Sequence, residues 1–262
     1  STVQALLAKA DGTPVILIDQ SPRFLFKPLL YELLSGELQL WEVAPKFSAL
    51  ASELGFIFLQ ECVVEVDEVE QQLITSSNTI FKYSQLVIST GVTTDYSFPE
   101  DLKEYAYGFS NLNDLLRIKN VITTINNSSE DTKPLVISGA GPTGVELACK
   151  ISDLIKDRIE IYLVDKGDKI LPNCKSFNRE KAIDSIGKRN IRVYLDCYIK
   201  SVEKTYIELS STDNEINNYI KIDYSTLIWT AGLKSSKSKF VHYLLNENQK
   251  IKVNEFMQMD EY

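Results

Sequence analysis

The sequence predicts an α/β fold made of two like-built halves, and three observations carry that expectation. Helix and strand signals alternate along the chain, the pattern of a largely parallel sheet covered by helices. A complete series of strand, glycine turn, helix and strand ending in an acid occurs once, from Pro134 to Asp165. The halves also share a spacing: Gly232 lies 67 residues beyond the strand-end acid Asp165, and Gly91 lies 72 residues beyond the strand-end acid Asp19.

The totals set the bounds. At 262 residues the chain exceeds what one core usually supports, so two domains or one large α/β unit are expected. Hydrophobic residues at 44% and charged ones at 24% are an ordinary globular balance. A net charge of −8 without a compensating Lys/Arg cluster argues against nucleic acid as a partner. Lys27, Glu32 and Glu146 interrupt the best apolar stretches, which fall short of the roughly eighteen residues a spanning helix needs. Cys62, Cys149, Cys174 and Cys197 stand 87, 25 and 23 residues apart, with no CxxC and no nearby histidine. They read as reduced structural thiols, neither a metal site nor a redox pair. His242, the only histidine, reads as a surface or packing residue.

Each element follows in order. Residues 1–10 (STVQALLAKA) read as an amphipathic helix already under way, without a signal-peptide pattern. Val15 to Ile18 is an apolar strand that ends in Asp19 before a Ser-Pro break. LFKPLLYELLSGELQLWEVAPKFSALASELG is mostly helical, broken at Pro28, Gly36 and Pro45. FIFLQECVVEVD and QLITSSNTIFKY read as strands, and SQLVISTG as a buried one. NNSSEDTKP is a connecting loop, too short for a flexible tether. The second half then runs through the strand PLVIS, the turn GAGPTG, the helix VELACKISDLIK, the strand IEIYLVD and the buried strand LIWTAG.

GAGPTG fits G-x-G-x-x-G. Gly139 permits the tight turn, Gly141 lets a backbone approach a pyrophosphate, and Gly144 allows close helix packing. Pro142 suits the first helical position, followed by Thr143, and the free amides there favour a phosphate. Asp165 is expected to accept hydrogen bonds from ribose hydroxyls and to favour NADH over NADPH, a preference that Lys166 blurs. Thr90–Gly91 and Ala231–Gly232, in STG and TAG, each end a predicted strand where cofactors bind in open α/β sheets. Alone, each is a strand terminator. Arg23 and Lys27 are the residues of RFLFKPLLYELL that could bind phosphate or carry chemistry, against the alternative of a core helix. Glu146, just inside the helix, must be hydrogen-bonded, solvated or functional. With the second half as a ruler, glycines 26 and 21 residues before Asp19 would fall at positions −7 and −2. The first half is therefore expected to lack its first strand and phosphate turn in this chain.

LIDQSPRFLFKPLLYELLSGELQLWEVAP, FPEDLKEYAYGFSNLNDLLRI, GAGPTGVELA and LIWTAGL together resemble the type II NAD(P)H:quinone oxidoreductases, single-subunit flavoenzymes, nearly end to end. RFLFKPLLYEL and GELQLWEVAP look closest to the cyanobacterial and plastid demethylphylloquinone reductase branch. The resemblance implies two Rossmann-like dinucleotide-binding domains, for FAD in residues 1–112 and for NAD(P)H in residues 113–238. The FAD domain would be incomplete, and residues 239–262 would return to it. Hydride would pass to FAD and electrons onward to a quinone. Asp19 would hold the FAD ribose, Val63 would meet the adenine through its backbone, and Thr90 and Gly91 would approach the cofactor. Phe26, Lys27 and Pro28 would lie near the flavin, and Glu146 matches a carboxylate near nicotinamide and flavin that influences hydride or proton transfer.

The chain departs from that family's pattern in the first glycine turn, the Gly-Asp motif that closes the FAD site, and the C-terminal segment supplying the quinone pocket and membrane attachment. This chain alone is thus expected to bind FAD weakly or not at all. The implied setting is cytoplasmic and peripheral to a thylakoid or plasma membrane, with a homodimer allowed. Ferredoxin or rubredoxin reductases share the plan and differ in acceptor. Sulfide:quinone and disulfide reductases need a thiol pair where the first half has only Cys62. A non-catalytic NAD-binding fragment is the remaining alternative.

Overall fold

The computed structural model describes residues 2–9, 12–128, 133–213, 219–235, 251 and 253–259. His242 and most of 239–262 lie outside the described residues. The first stretch of chain forms α1 (Thr2–Leu7), β1 (Ile16–Ile18), α2 (Leu30–Ser35), α3 (Leu40–Val43) and α4 (Phe47–Leu54). Next come β2 (Ile57–Leu59), β3 (Val63–Asp67), β4 (Gln72–Thr75), β5 (Ile80–Lys82), β6 (Val92–Thr94), α5 (Leu102–Tyr105), β7 (Ala106–Tyr107) and α6 (Leu112–Asn127). The last stretch holds β8 (Leu135–Ser138), α7 (Pro142–Ile155), β9 (Ile161–Val164), α8 (Ser176–Gly187) and β10 (Ile191–Tyr194). It ends with β11 (Cys197–Val202), β12 (Tyr206–Ser211), β13 (Tyr219–Asp223), β14 (Thr226–Trp229) and β15 (Leu233–Ser235).

These elements pack as two compact units: residues 1–26, 39–93 and 234–262 form unit one, and residues 27–38 and 94–233 form unit two. The expected boundaries at 112/113 and 238/239 are thereby displaced. Two packing facts explain it. Ala106 and Tyr107 pair with Leu227 and Ile228, so β7 is an edge strand of the second sheet. Leu30, Leu33 and Leu34 bury the apolar face of α2, and that short helix packs on α6 and α7.

Unit two is a five-stranded sheet in the order β10-β9-β8-β14-β7. Every pairing in it is parallel. Its rows alternate between two covers, as a period of two requires. Val136 stands beside Tyr162 and Leu227, and Ser138 beside Val164 and Trp229. That face packs on Ile199, Ile207, Leu209 and Ile222 of the antiparallel sheet β11-β12-β13. The alternate row, Ile137 with Leu163 and Ile228, belongs to the opposite face. All four residues of β8 are buried, as expected of a central parallel strand. α6 starts where Asn111 Oδ1 accepts the Asp114 amide at 3.0 Å, and buries Leu115, Ile118, Ile122 and Ile125 along one stripe.

Unit one repeats part of this plan. β1 runs parallel to β2, with Ile16, Leu17 and Ile18 opposite Ile57, Phe58 and Leu59, as β9 runs beside β10. Each pair leads into a three-stranded antiparallel sheet, β3-β4-β5 or β11-β12-β13. Even the irregularities match, for the first strand of each carries a register shift, between Val63 and Glu65 and between Ile199 and Ser201. α4 covers this side through the Phe47 ring, 5.0 Å from Phe58, and ends where Gly55 turns left-handed at φ 82.

SQLVISTG is not the buried strand its sequence predicts. Residues 84–91 have no strand pairing, and Leu86 and Val87 are 37% and 52% exposed. The counterpart stretch in unit two, β14, is a strand because β8 lies alongside to share its ladder. Within unit one β1 pairs with β2 alone among the described residues, so an apolar run of the right composition has no partner to make it a strand.

Because α2 belongs to the core of unit two, Leu34→Ala should destabilise that unit by about 2–4 kcal/mol. Trp41 and Trp229 are the two tryptophans of the chain, so a Trp41→Phe background isolates the Trp229 signal for a urea titration. An unmoved Trp229 transition would place α2 outside this core.

Candidate functional site

The glycine turn joins β8 to α7 at the carboxyl edge of the parallel sheet of unit two. Its three glycines stand in three different situations. Gly139 has φ +106, a conformation side chains rarely adopt. A Cβ on Gly144 would stand 1.8 Å from the Gly139 carbonyl oxygen, so the helix can touch the strand end only without a side chain there. Gly141 has an ordinary φ of −75 as the N-cap of α7, and a Cβ there would meet nothing within 4 Å. Neither strain nor packing inside the protein demands glycine at 141, which leaves room for the close approach of a ligand. Pro142 takes the first helical position, where its missing N–H has no intrahelical partner to lose.

Two side chains tie this turn to neighbouring strand ends. Thr230, directly after β14, donates its hydroxyl to the Ser138 carbonyl at 2.8 Å and stands 3.3 Å from that of Gly139. Asp165, directly after β9, accepts the Ala140 amide on Oδ2 at 2.6 Å and the Gly167 amide on Oδ1 at 2.7 Å. Sequence reasoning assigned Asp165 to ribose hydroxyls alone. The structure shows it also clamping the turn, and each carboxylate oxygen keeps a further lone pair for a ligand. Gly139, Gly141, Pro142, Thr143, Gly144, Asp165 and Ala231 thus gather at one edge, where the Ala231 amide lies 3.0 Å from a Cβ built on Gly139. Gly232, with φ +84, extends the same segment, and Lys166 is exposed beside Asp165.

Glu146 is an exposed residue of α7, four positions after Pro142. Its negative charge acts on the Tyr31 phenol of α2. Burial, then the Glu146 charge, push the Tyr31 phenol well above its ordinary value, so it remains a donor. The Tyr31 ring rests 5.1 Å from Phe109, and Glu37 binds Lys150 at 2.6 Å. Tyr31 and Thr230 escaped the sequence reading. Tyr31 sat in an apolar run far from the turn, whereas Thr230 stood in the quoted LIWTAG.

In unit one, Asp19 repeats the geometry of Asp165. Its amide donates to Leu59 as that of Asp165 donates to Tyr194, and its Oδ1 accepts the Ser21 amide at 2.7 Å. Gln20 Nε2 reaches Cys62 Sγ at 3.2 Å, which brings the Asp19 corner beside Val63 at the start of β3. Arg23 Nη1 donates to the Ala44 carbonyl at 2.7 Å, which gives this side chain a structural task. Phe26, Thr90 and Gly91 are exposed. Lys27 and Pro28 are exposed too, in unit two. The ribose end of a dinucleotide fits unit one, but residues 1–93 hold no G-x-G-x-x-G for its pyrophosphate.

The family model described as pyridine nucleotide-disulphide oxidoreductase matches residues 2–261. The chain belongs to this family. The family's name describes oxidoreductases that use a pyridine nucleotide. A demethylphylloquinone reductase of Synechocystis is 32% identical over 222 residues, covering 83% of this chain and 54% of that protein. An alternative NAD(P)H-ubiquinone oxidoreductase of Arabidopsis thaliana, chloroplastic/mitochondrial, is 28% identical over 86% of this chain and 48% of its own length. In fold, the chain is similar to NDH2 from Plasmodium falciparum in complex with NADH, with TM-score 0.78 and 22% identity over 92% of this chain and 55% of the other. The chain spans about half the length of the curated relatives it matches.

The family's name includes a redox disulphide, but all four cysteines here are free thiols. Burial pushes Cys197 up from 9.0 to about 11, with Asp196 and Asp165 adding to it, and raises Cys149 as well. Such thiols are poor nucleophiles.

Two outcomes follow. Gly144→Ala should cost at least about 3 kcal/mol, the upper end of overpacking, whereas Gly141→Ala should leave stability within about 0.5 kcal/mol; urea titrations of both decide it. For Cys197 the folded state favours the neutral thiol, so its contribution to stability is complete below pH 9 and lost as pH rises through about 11. Maleimide labelling of Cys197 in the folded chain should therefore be slow at pH 8 and should rise only towards pH 11; rapid labelling at pH 8 contradicts this.

Proposed function

We propose that this chain is the nucleotide-binding part of an FAD-dependent NAD(P)H:quinone oxidoreductase that acts peripherally at a membrane. When bound, FAD supplies the acceptance of hydride from NAD(P)H and the delivery of electrons to a quinone. The observation that carries the reading is Gly141, a glycine with ordinary backbone angles and open space where a Cβ would be. A pyrophosphate held by the free amides at the start of α7 accounts for it.

The protein's own groups then have separate tasks. The amides at the start of α7 take phosphate charge. Asp165 keeps the turn closed through Ala140 and turns its negative charge against a 2′-phosphate, which favours NADH. Asp19, fixed by Ser21, presents the matching carboxylate to the FAD ribose, with the backbone of Val63 nearby. Glu146 supplies a carboxylate beside the nicotinamide that influences hydride transfer between the cofactors or the accompanying proton transfer. The similarity to the Synechocystis demethylphylloquinone reductase supports demethylphylloquinone as the quinone. Free, unpaired cysteines favour a quinone over a disulphide as acceptor.

NADH should bind this 262-residue chain, and Gly141→Ala should weaken that binding at least about tenfold, a loss of about 1.4 kcal/mol, without a change in stability. Isothermal titration calorimetry measures the affinity, and equal affinities for the two proteins would remove Gly141 from the site. For the acceptor, the full-length protein should turn over with a soluble quinone and not with ferredoxin; the reverse would assign it to the ferredoxin reductases.

A further inference from the structure

The segment between β9 and α8 turns four of its carbonyls towards one guanidinium. Arg179, the fourth residue of α8, donates Nε–H to the Ile170 carbonyl at 3.1 Å. Its Nη2 lies 3.1 Å from the Cys174 carbonyl, 3.3 Å from that of Leu171 and 3.4 Å from that of Pro172. Helical side chains lean towards the helix N-terminus, so a residue one turn inside α8 reaches the loop that precedes it. Carbonyl dipoles gathered at one point repel each other unless a cation lies among them, and the planar fork of arginine offers several donors at once. The loop held in this way buries Ile170 and Leu171. Leu171 takes φ +48, a left-handed conformation that a bulky side chain rarely adopts. Such a residue persists only where its surroundings impose the conformation.

Leu171 is also the link from this loop to the glycine turn. Its amide donates to the Ala140 carbonyl at 2.9 Å, while the Ala140 amide donates to Asp165 Oδ2 at 2.6 Å. The residue between Gly139 and Gly141 is thus bound on both sides. The Ala140 carbonyl and the Gly141 amide belong to one planar trans peptide, so they point in opposite directions. Drawing the carbonyl towards Leu171 therefore aims the Gly141 N–H away from the loop, and that N–H has no protein acceptor among the described residues. We propose that Arg179 is a positioning residue: through the 170–174 loop and the Leu171–Ala140 bond, it fixes the Gly141 N–H as a donor to the pyrophosphate of a nicotinamide dinucleotide. This rests on the reading of the glycine turn as a nucleotide site. Nε and Nη2 of Arg179 are occupied by the loop, so its part is played through the backbone and not by contact with a phosphate.

The test uses the 262-residue chain with Arg179→Lys and Arg179→Gln. Lysine keeps the charge and loses the planar fork, whereas glutamine loses both. Hydrogen exchange of single amides, read by NMR, reports on the link. Leu171 should exchange about tenfold faster in both variants, while Leu163 in the parallel sheet keeps its protection and so verifies the fold. NADH should bind both variants about tenfold more weakly, the loss expected for one hydrogen bond to a charged group. In a Gly141→Ala background, where close approach is already blocked, the same substitutions should cost less than about twofold. Three results would overturn the proposal. Unchanged exchange at Leu171 would remove Arg179 from the link to the turn. Equal weakening of NADH with Gly and with Ala at 141 would make the loop a general support of the unit. NADH affinity kept by lysine and lost by glutamine would show attraction of charge in place of positioning. Faster exchange at Leu171 in the variants of a chain that itself binds no NADH would support the hold of Arg179 on the turn and overturn the nucleotide reading.

Discussion

Unit two depends on one backbone contact. The Gly139 carbonyl oxygen lies so near Gly144 that a Cβ there would stand 1.8 Å away, and the helix that begins at Pro142 is thereby set directly against the end of β8. From that point the other positions follow. Gly141 is left uncovered, the Ala140 amide faces Asp165 at 2.6 Å, and Thr230 caps the strand end from β14. α7, fixed at its start, then offers the surface on which α2 buries Leu30, Leu33 and Leu34. Remove the contact and the turn, the helix origin and the seat for Tyr31 move together.

The two units show how much of a nucleotide site is local. Asp19 and Asp165 make the same pair of bonds, one from the residue two positions later and one through their own amides to the adjacent parallel strand. Both follow short apolar strands, and both lead towards antiparallel sheets with a shift in the first strand. This corner therefore forms from a strand, an acid and one neighbour. The bond that distinguishes Asp165 comes from Ala140, across the sheet. A carboxylate at a strand end is common; one that also holds a glycine turn is specific.

Sequence made the local parts legible and left the long-range ones unread. The turn at 139–144 announced itself because its glycines, proline and following helix are consecutive, and the spacing of Asp19 and Gly91 against Asp165 and Gly232 disclosed the repeat. Residues 84–91 were misread because their composition is that of β14 while strand formation depends on a neighbour. α2 was assigned to the wrong half because proximity along the chain is a poor guide to which core an apolar face enters. Tyr31 was unreadable for the same reason: the ring it rests on, Phe109, and the charge that acts on its phenol, Glu146, lie far along the chain. Arg23 looked like a candidate because a lone arginine in an apolar run invites a ligand, and its bond to the Ala44 carbonyl, 21 residues away, could not be read from the sequence.

An acidic chain can hold an anionic ligand only if its own carboxylates are prevented from taking the same donors. A net charge of −8 sets the average field, but binding at a helix start is decided within one turn of the helix. Near this turn, Asp165 is bound by two backbone amides on the strand side, and Glu37 is bound by Lys150. Each of these two carboxylates therefore has a partner that fixes where its charge points. On the proposed reading such an arrangement would distinguish ligands by sign and by place: phosphate charge would be accepted at the amides, while a 2′-phosphate near Asp165 would meet a carboxylate held in position by Ala140 and Gly167.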